Sequence, residues 1–152
     1  CYFMSSLAAM TQMPQLIYQI FKTAQIPLNN CYQIAMNIDG EWQIVLLDDY
    51  FPCSKKTHIP IFAKPNGPEL WAMLLEKAWA KINGSYARTI AGVPSEAFAC
   101  LCEAPCVTYF HNKYPPNQLW MMLKREKANG FFIATNTTAL LNGEYETVFH
   151  TL

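Results

Sequence analysis

The sequence predicts an α+β fold: a mainly helical part with one β-hairpin, followed by a further β-prone part at the end of the chain. Three observations support it: an amphipathic pattern over residues 68–83, an Asp39-Gly40 turn between two β-prone runs, and a β-prone run at 131–135 after the last helical pattern. The helical part and its hairpin cover residues 1–130, and the last β-prone part covers residues 131–152.

The longest helical pattern covers residues 68–83. Its apolar face recurs at spacings of three and four and consists of Trp71, Leu74, Leu75, Ala78, Trp79 and Ile82. Pro68 suits the first helical position, and Glu69 would place negative charge in the first turn, where the helix dipole favours it. Asn83-Gly84 would end the helix. Two tryptophans on one face, each burying roughly 150–250 Å², make this helix the expected centre of the core.

The β-hairpin is predicted from strands at 31–36 and 42–47, joined through Asp39-Gly40. Asp48 and Asp49 follow the second strand. A carboxylate pair can serve a metal or acid–base site, but adjacent strand residues point to opposite faces. We interpret the two aspartates as structural.

Residues 1–10 and 14–21 predict two helices at the start of the chain, the second opening at Pro14. The first has two interpretations. Its small residues, such as Ser5 and Ser6, suit a closely packed buried helix. Alternatively, Cys1 is a nucleophile, because the N-terminus of a helix stabilises a thiolate.

The second half predicts a helix from Pro116 to Ala128, a buried strand at 131–135 and a loop at 136–146. Cys100, Cys102 and Cys106, with His111 as a fourth ligand, raise a zinc alternative, although zinc sites usually pair cysteines as Cys-x2–4-Cys. We favour ordinary thiols at these positions.

Composition excludes several classes of function. Of the 152 residues, 52% are apolar and 14% charged, which indicates a folded chain with a real core. The zero net charge argues against nucleic acid or anionic membrane as main partner. No apolar run approaches the roughly 20 residues of a membrane span. We expect reduced cysteines in a cytoplasmic setting, and a chain that opens at Cys1 suggests a piece of a longer protein.

Three stretches resemble the calpain family of cysteine proteases, whose core is papain-like. Residues 69–86 follow the family pattern ELW-x-x-LLEKA-[WY]-AK-x-x-GSY, and residues 40–52 follow the hairpin pattern GEW-x-x-V-x-x-DD-x-x-P. CYFMSSLAAM, residues 1–10, matches the small, apolar helix that starts at the family's nucleophile. The resemblance weakens after Tyr86, where Cys100-Leu101-Cys102-Glu103 replaces the family's Asp-Leu-Thr-Gly.

The resemblance implies a helical, nucleophile-bearing subdomain at 1–130 and the incomplete start of a β-rich second subdomain at 131–152. It also implies that Cys1 is the nucleophile of a cysteine endopeptidase and that a histidine lies near the end of the chain. Aligned without gaps from Gly143, the segment GEYETVFHTL places Val148 at the histidine position and His150 two residues later. Because a strand alternates faces, His150 would still lie on the same face as Val148. The orienting asparagine and the oxyanion glutamine of the family are expected outside these residues.

The resemblance also makes Glu69 a calcium candidate, with the other ligands upstream. Two functions follow. The first is a segment of a calpain-like endopeptidase that uses Cys1 and His150 on protein substrates. The second is a catalytically inactive calpain-like module with a structural or binding role, expected inside the cell in a cytoskeletal or other large protein assembly.

Overall fold

The fold of this chain, a computed structural model, is described for residues 1–23, 25–139 and 145–151. This part contains α1 (Tyr2–Met10), α2 (Pro14–Ile20), β1 (Tyr32–Ile38), β2 (Glu41–Leu47), α3 (Trp71–Ile82), α4 (Pro94–Cys102), β3 (Val107–Phe110), α5 (Pro116–Ala128), β4 (Ile133–Ala139) and β5 (Tyr145–Thr151), with short 3-10 turns at Tyr86–Thr89 and His111–Lys113. Five helices and two small sheets confirm the predicted α+β class.

The main core forms around α1 and α3. The Phe3 ring stacks on Trp79 at a centroid distance of 5.1 Å, and the indole N–H of Trp79 donates a 2.7 Å hydrogen bond to the buried Tyr2 hydroxyl. Leu75 and Ala78 on α3 are fully buried. The predicted core position of α3 is therefore confirmed, and α1 is the helix that it holds most directly.

The hairpin forms as predicted. β1 pairs antiparallel with β2 from Tyr32–Leu47 to Ile38–Glu41. Asp39 and Gly40 both have positive φ, +54° and +87°, the backbone conformation of a tight two-residue turn that glycine favours. Beyond β2, the Asp48 carboxylate accepts a hydrogen bond from the Lys77 ammonium on α3, so Asp48 ties the hairpin to the central helix.

The predicted start of the central helix is wrong, although its end is correct. The helix begins at Trp71, with Leu70 at the N-cap, and no acidic residue lies in its first turn. Gly67 has a φ of +82°, so the chain turns before the helix. Glu69 then accepts a 3.1 Å hydrogen bond from the Trp71 indole N–H and does not sit over the helix terminus.

The second sheet has the order β3-β5-β4, with both neighbours antiparallel to the central β5. One of its faces is covered by α5, where Tyr109, Leu119 and Leu123 form a small core with Ile133 and Phe149. On the other face, Ala134 belongs to the main core, next to Phe132. The sheet is therefore sandwiched between α5 and the helical core.

Three features of the second half differ from the prediction or were not predicted. α4 and β3 form within residues 87–110, for which no element was predicted. The predicted loop at 136–146 is wrong at both ends, because β4 continues to Ala139 and β5 begins at Tyr145; residues 140–144, including Gly143, lie outside the described residues. Pairing of β4 with β5 extends the strands beyond the locally β-prone run.

The division at residue 130 stays a prediction. β3 belongs to residues 1–130 yet pairs with β5 from residues 131–152, and the main core includes Phe132 and Ala134 of the second part.

Across the described ranges, no helix has both the length and the apolar character needed to pass through a bilayer.

We expect Tyr2→Phe to lower the free energy of unfolding by about 1–3 kcal/mol, because the buried Trp79 N–H loses its acceptor. Tyr18→Phe is the matched control, since the Tyr18 side chain is 76% exposed and its change should stay within about 0.5 kcal/mol. Urea denaturation of both variants measures the difference. Equal stabilities would show that this hydrogen bond does not hold α1.

Candidate functional site

Cys1 lies at the N-cap of α1, exposed to solvent. Its carbonyl oxygen accepts the Ser5 N–H at 2.9 Å, which starts the helical hydrogen-bond pattern. The small residues on α1 permit close packing: Ser6 is fully buried, and its hydroxyl donates to the Tyr2 carbonyl at 3.0 Å. Both predicted features, an accessible thiol at a helix N-terminus and a closely packed helix, therefore occur together.

His150 lies on the central strand β5, with only 3% of its surface exposed. Its Nε2 is 2.7 Å from the Asn136 Oδ1, and its Nδ1 is 3.1 Å from the Thr108 hydroxyl. An amide oxygen only accepts hydrogen bonds, so Nε2 carries the ring proton and donates a hydrogen bond to Asn136. Nδ1 is therefore the unprotonated nitrogen, and it accepts the hydroxyl hydrogen of Thr108.

Burial also sets the charge of this histidine. Desolvation lowers the pKa of His150 below its ordinary value of 6.5, because the charged imidazolium loses its hydration. The ring is thus held neutral, with one nitrogen able to accept a proton. This is the protonation state that a general base requires.

The strand register places His150 on the face of the sheet that looks toward α1. His150 is directly opposite Ala134 on β4, and cross-strand partners point to the same side. Ala134 packs in the main core with residues of α1, and β4 contacts that helix. Val148 is buried two residues before His150 on β5, so both share this face, as alternation predicts.

Cys1 precedes α1, which contacts β4, and His150 lies on β5, which pairs with β4. No bond joins the two side chains in the described residues. The two ring nitrogens of His150 bond to Thr108 and Asn136 instead. Sequence reasoning missed both partners. Asn136 was assigned to a loop and Thr108 to no element; the alternation of a longer β4 would have placed Asn136 on the face of Ala134.

The described residues do not form a calcium site by themselves. Glu69 offers one carboxylate, and one of its oxygens accepts the Trp71 N–H. Calcium takes six to eight oxygen ligands, and the described part of the chain contains no cluster of three or more His, Cys, Asp or Glu side chains able to hold a metal. No step of the chemistry below depends on calcium.

The zinc alternative receives no support. Cys100 and Cys102 lie in the last turn of α4, and Cys106 follows it. Burial raises the pKa of Cys100 to about 12 and also raises those of Cys102 and Cys106, which disfavours the thiolate that zinc needs. All six cysteines carry free thiols.

The lowered pKa of His150 predicts a specific loss of stability in mild acid. As pH falls from about 8 to about 5, the unfolded chain binds a proton at this histidine before the folded chain does, so the free energy of unfolding falls. His150→Gln removes this contribution, and its stability should decline less over the same range. Glu76, whose pKa is raised by burial, titrates equally in both proteins. Urea denaturation at each pH measures the free energy of unfolding of both proteins. An equal decline in the wild type and in His150→Gln would contradict the lowered pKa of His150.

Comparison with known proteins identifies the family. The model of the calpain family of cysteine proteases matches residues 1–151. The chain is 33% identical to the calpain-type cysteine protease ADL1 of Oryza sativa subsp. japonica over 66% of its length, 32% identical to a calpain of Schistosoma mansoni over 82%, and 26% identical to calpain-8 of Rattus norvegicus over 96%. It spans only 5%, 17% and 21% of those three proteins. This chain belongs to the calpain family of cysteine proteases.

Proposed function

We propose that this chain supplies the nucleophile and the general base of a cysteine endopeptidase, Cys1 and His150. The observation that carries the proposal is the state of His150: neutral, with Nε2–H directed at Asn136, on the sheet face that packs against α1. An amide oxygen at Nε2 with the other nitrogen left as the acceptor is the tautomer that a histidine needs to take a proton from a thiol. The place of Cys1 at the N-cap of the same helix, where a thiolate is stabilised, supports its role as nucleophile.

The chemistry follows from these two groups. Nδ1 of His150 takes the thiol proton of Cys1, and the thiolate attacks the carbonyl carbon of a peptide bond to form a C–S bond. The imidazolium then gives its proton to the departing amine as the C–N bond breaks. Water, deprotonated by the same nitrogen, attacks the thioester; the acid leaves and the proton returns to Cys1. Asn136 holds the ring through Nε2–H in this structure, which differs from the expectation that the orienting asparagine lies outside these residues.

Two requirements of this reaction lie beyond the two side chains. The sulfur of Cys1 must reach His150 Nδ1, which calls for movement of α1 against the sheet. The oxyanion also needs hydrogen-bond donors, and by family resemblance a glutamine side chain outside these residues provides one of them. We expect protein substrates, an intracellular setting with reduced thiols, and calcium bound, if at all, through Glu69 together with ligands from other parts of the protein.

A second function is a non-proteolytic calpain-like module with a structural or binding role in an assembly. One observation favours it: both ring nitrogens of His150 are bonded within the sheet, and its side chain is almost fully buried. In this case Cys1 would serve as a helix-capping residue only.

We expect Cys1→Ala and His150→Ala each to reduce peptide cleavage by the full-length gene product at least about a thousandfold, because the two groups act as a unit. The double variant should lose no more than either single one. Hydrolysis of an unstructured protein such as casein, followed by mass spectrometry, provides the measurement.

Cys53→Ala is the matched control, because Cys53 is another exposed thiol and its loss should leave the rate unchanged. If the wild-type protein cleaves nothing and a thiol-reactive peptide does not label Cys1, the non-proteolytic function is favoured. Cleavage that survives His150→Ala would remove His150 from the mechanism.

A further inference from the structure

The two hydrogen bonds of His150 have opposite consequences for catalysis. The bond from Nε2 to Asn136, 2.7 Å long, leaves the reactive lone pair untouched. The bond at Nδ1 uses that lone pair, because the Thr108 hydroxyl lies 3.1 Å away and donates into it. The nitrogen that must take the proton of Cys1 is therefore already occupied.

The thiol and the hydroxyl cannot use Nδ1 at the same time. A neutral imidazole nitrogen has one lone pair in the ring plane and accepts one hydrogen bond in good geometry. Proton transfer from Cys1 needs the thiol in that same position. The Thr108 hydroxyl must leave before the thiol can enter.

We propose that Thr108 holds His150 in a resting state and that exchange of its hydroxyl for the Cys1 thiol at Nδ1 controls activity. This rests on the proposed function of Cys1 and His150. Thr108 acts here as a positioning residue, since it works through the histidine and does not contact the reacting atoms.

The place of Thr108 in the fold suits such an exchange. β3 has only four residues and is an outer strand of the sheet, next to the central β5. Thr108 is directly opposite His150 and is half-buried. Rotation about its Cα–Cβ bond removes the hydroxyl from Nδ1 without breaking the backbone pairing of the strands, so the cost is that of one neutral hydrogen bond.

The test compares three substitutions at this position in the full-length gene product. Thr108→Val has nearly the same shape without the hydroxyl, Thr108→Ala removes both branches, and Thr108→Ser keeps the hydroxyl. Iodoacetamide alkylation of Cys1, resolved from the other cysteines by peptide mass spectrometry, reports on thiolate formation without requiring a substrate. His150→Ala calibrates the dependence of alkylation on the histidine and should slow it.

We expect Thr108→Val and Thr108→Ala to alkylate about fivefold faster than the wild type, the factor that corresponds to loss of one net hydrogen bond. Thr108→Ser should match the wild type. The ¹⁵N resonance of His150 Nδ1 should shift in the Val and Ala variants and stay in place in the Ser variant, which reports the hydroxyl bond to this nitrogen. The faster alkylation of Cys1 is the readout that a purely structural role of Thr108 would not produce. Thermal melts confirm that each variant is folded.

The outcomes separate the two proposals. Equal or slower alkylation in both the Val and Ala variants, with His150→Ala still slowing the reaction, overturns the resting-state proposal and leaves the proposed function intact. Alkylation of Cys1 that does not depend on His150 at all overturns the proposed function, and the role of Thr108 falls with it.

Discussion

The contact between α1 and Trp79 is the constraint on which the rest of the site depends. Trp79 stacks on Phe3 and donates to the Tyr2 hydroxyl in the buried core, so the first turn of α1 is held in place while Cys1 stays exposed at its N-cap. Gly92 belongs to the same arrangement: a Cβ there would lie 2.5 Å from the Tyr2 ring. A helix N-terminus presents a thiol accurately only when such packing fixes it.

The three-stranded sheet supplies the second half of the site through its two different faces. α5 covers one face, where its Leu123 packs in the same small core as Tyr109 of β3, while the other face carries Ala134 and His150 toward the helical core. A register shift of one residue would turn His150 to the α5 side. The apolar residues that cover each face therefore determine where the base points, although none of them takes part in the chemistry.

In the proposed function Cys1 is the nucleophile and the buried His150 is the base, and burial is what keeps this base ready to accept a proton. Desolvation keeps His150 neutral, and Asn136 and Thr108 satisfy the ring nitrogens that burial would otherwise leave unpaired. Such contacts stabilise the fold and at the same time restrict access to the ring. Under the proposed function, the hydrogen bonds that satisfy these buried polar groups would also control access to the ring.

Local patterns in the sequence determined the hairpin turn at Asp39-Gly40, the end of α3 at Asn83-Gly84 and the extent of α5, because each depends on backbone preferences and apolar spacing over a few residues. The predicted helix N-terminus made Cys1 a candidate nucleophile, and the family resemblance added His150. Tertiary structure decided the late start of α3, the length of β4, and the partners of His150. Thr108 and Asn136 lie 42 and 14 residues from His150, and strand pairing alone brings them to its ring, since register follows from the packing of whole faces.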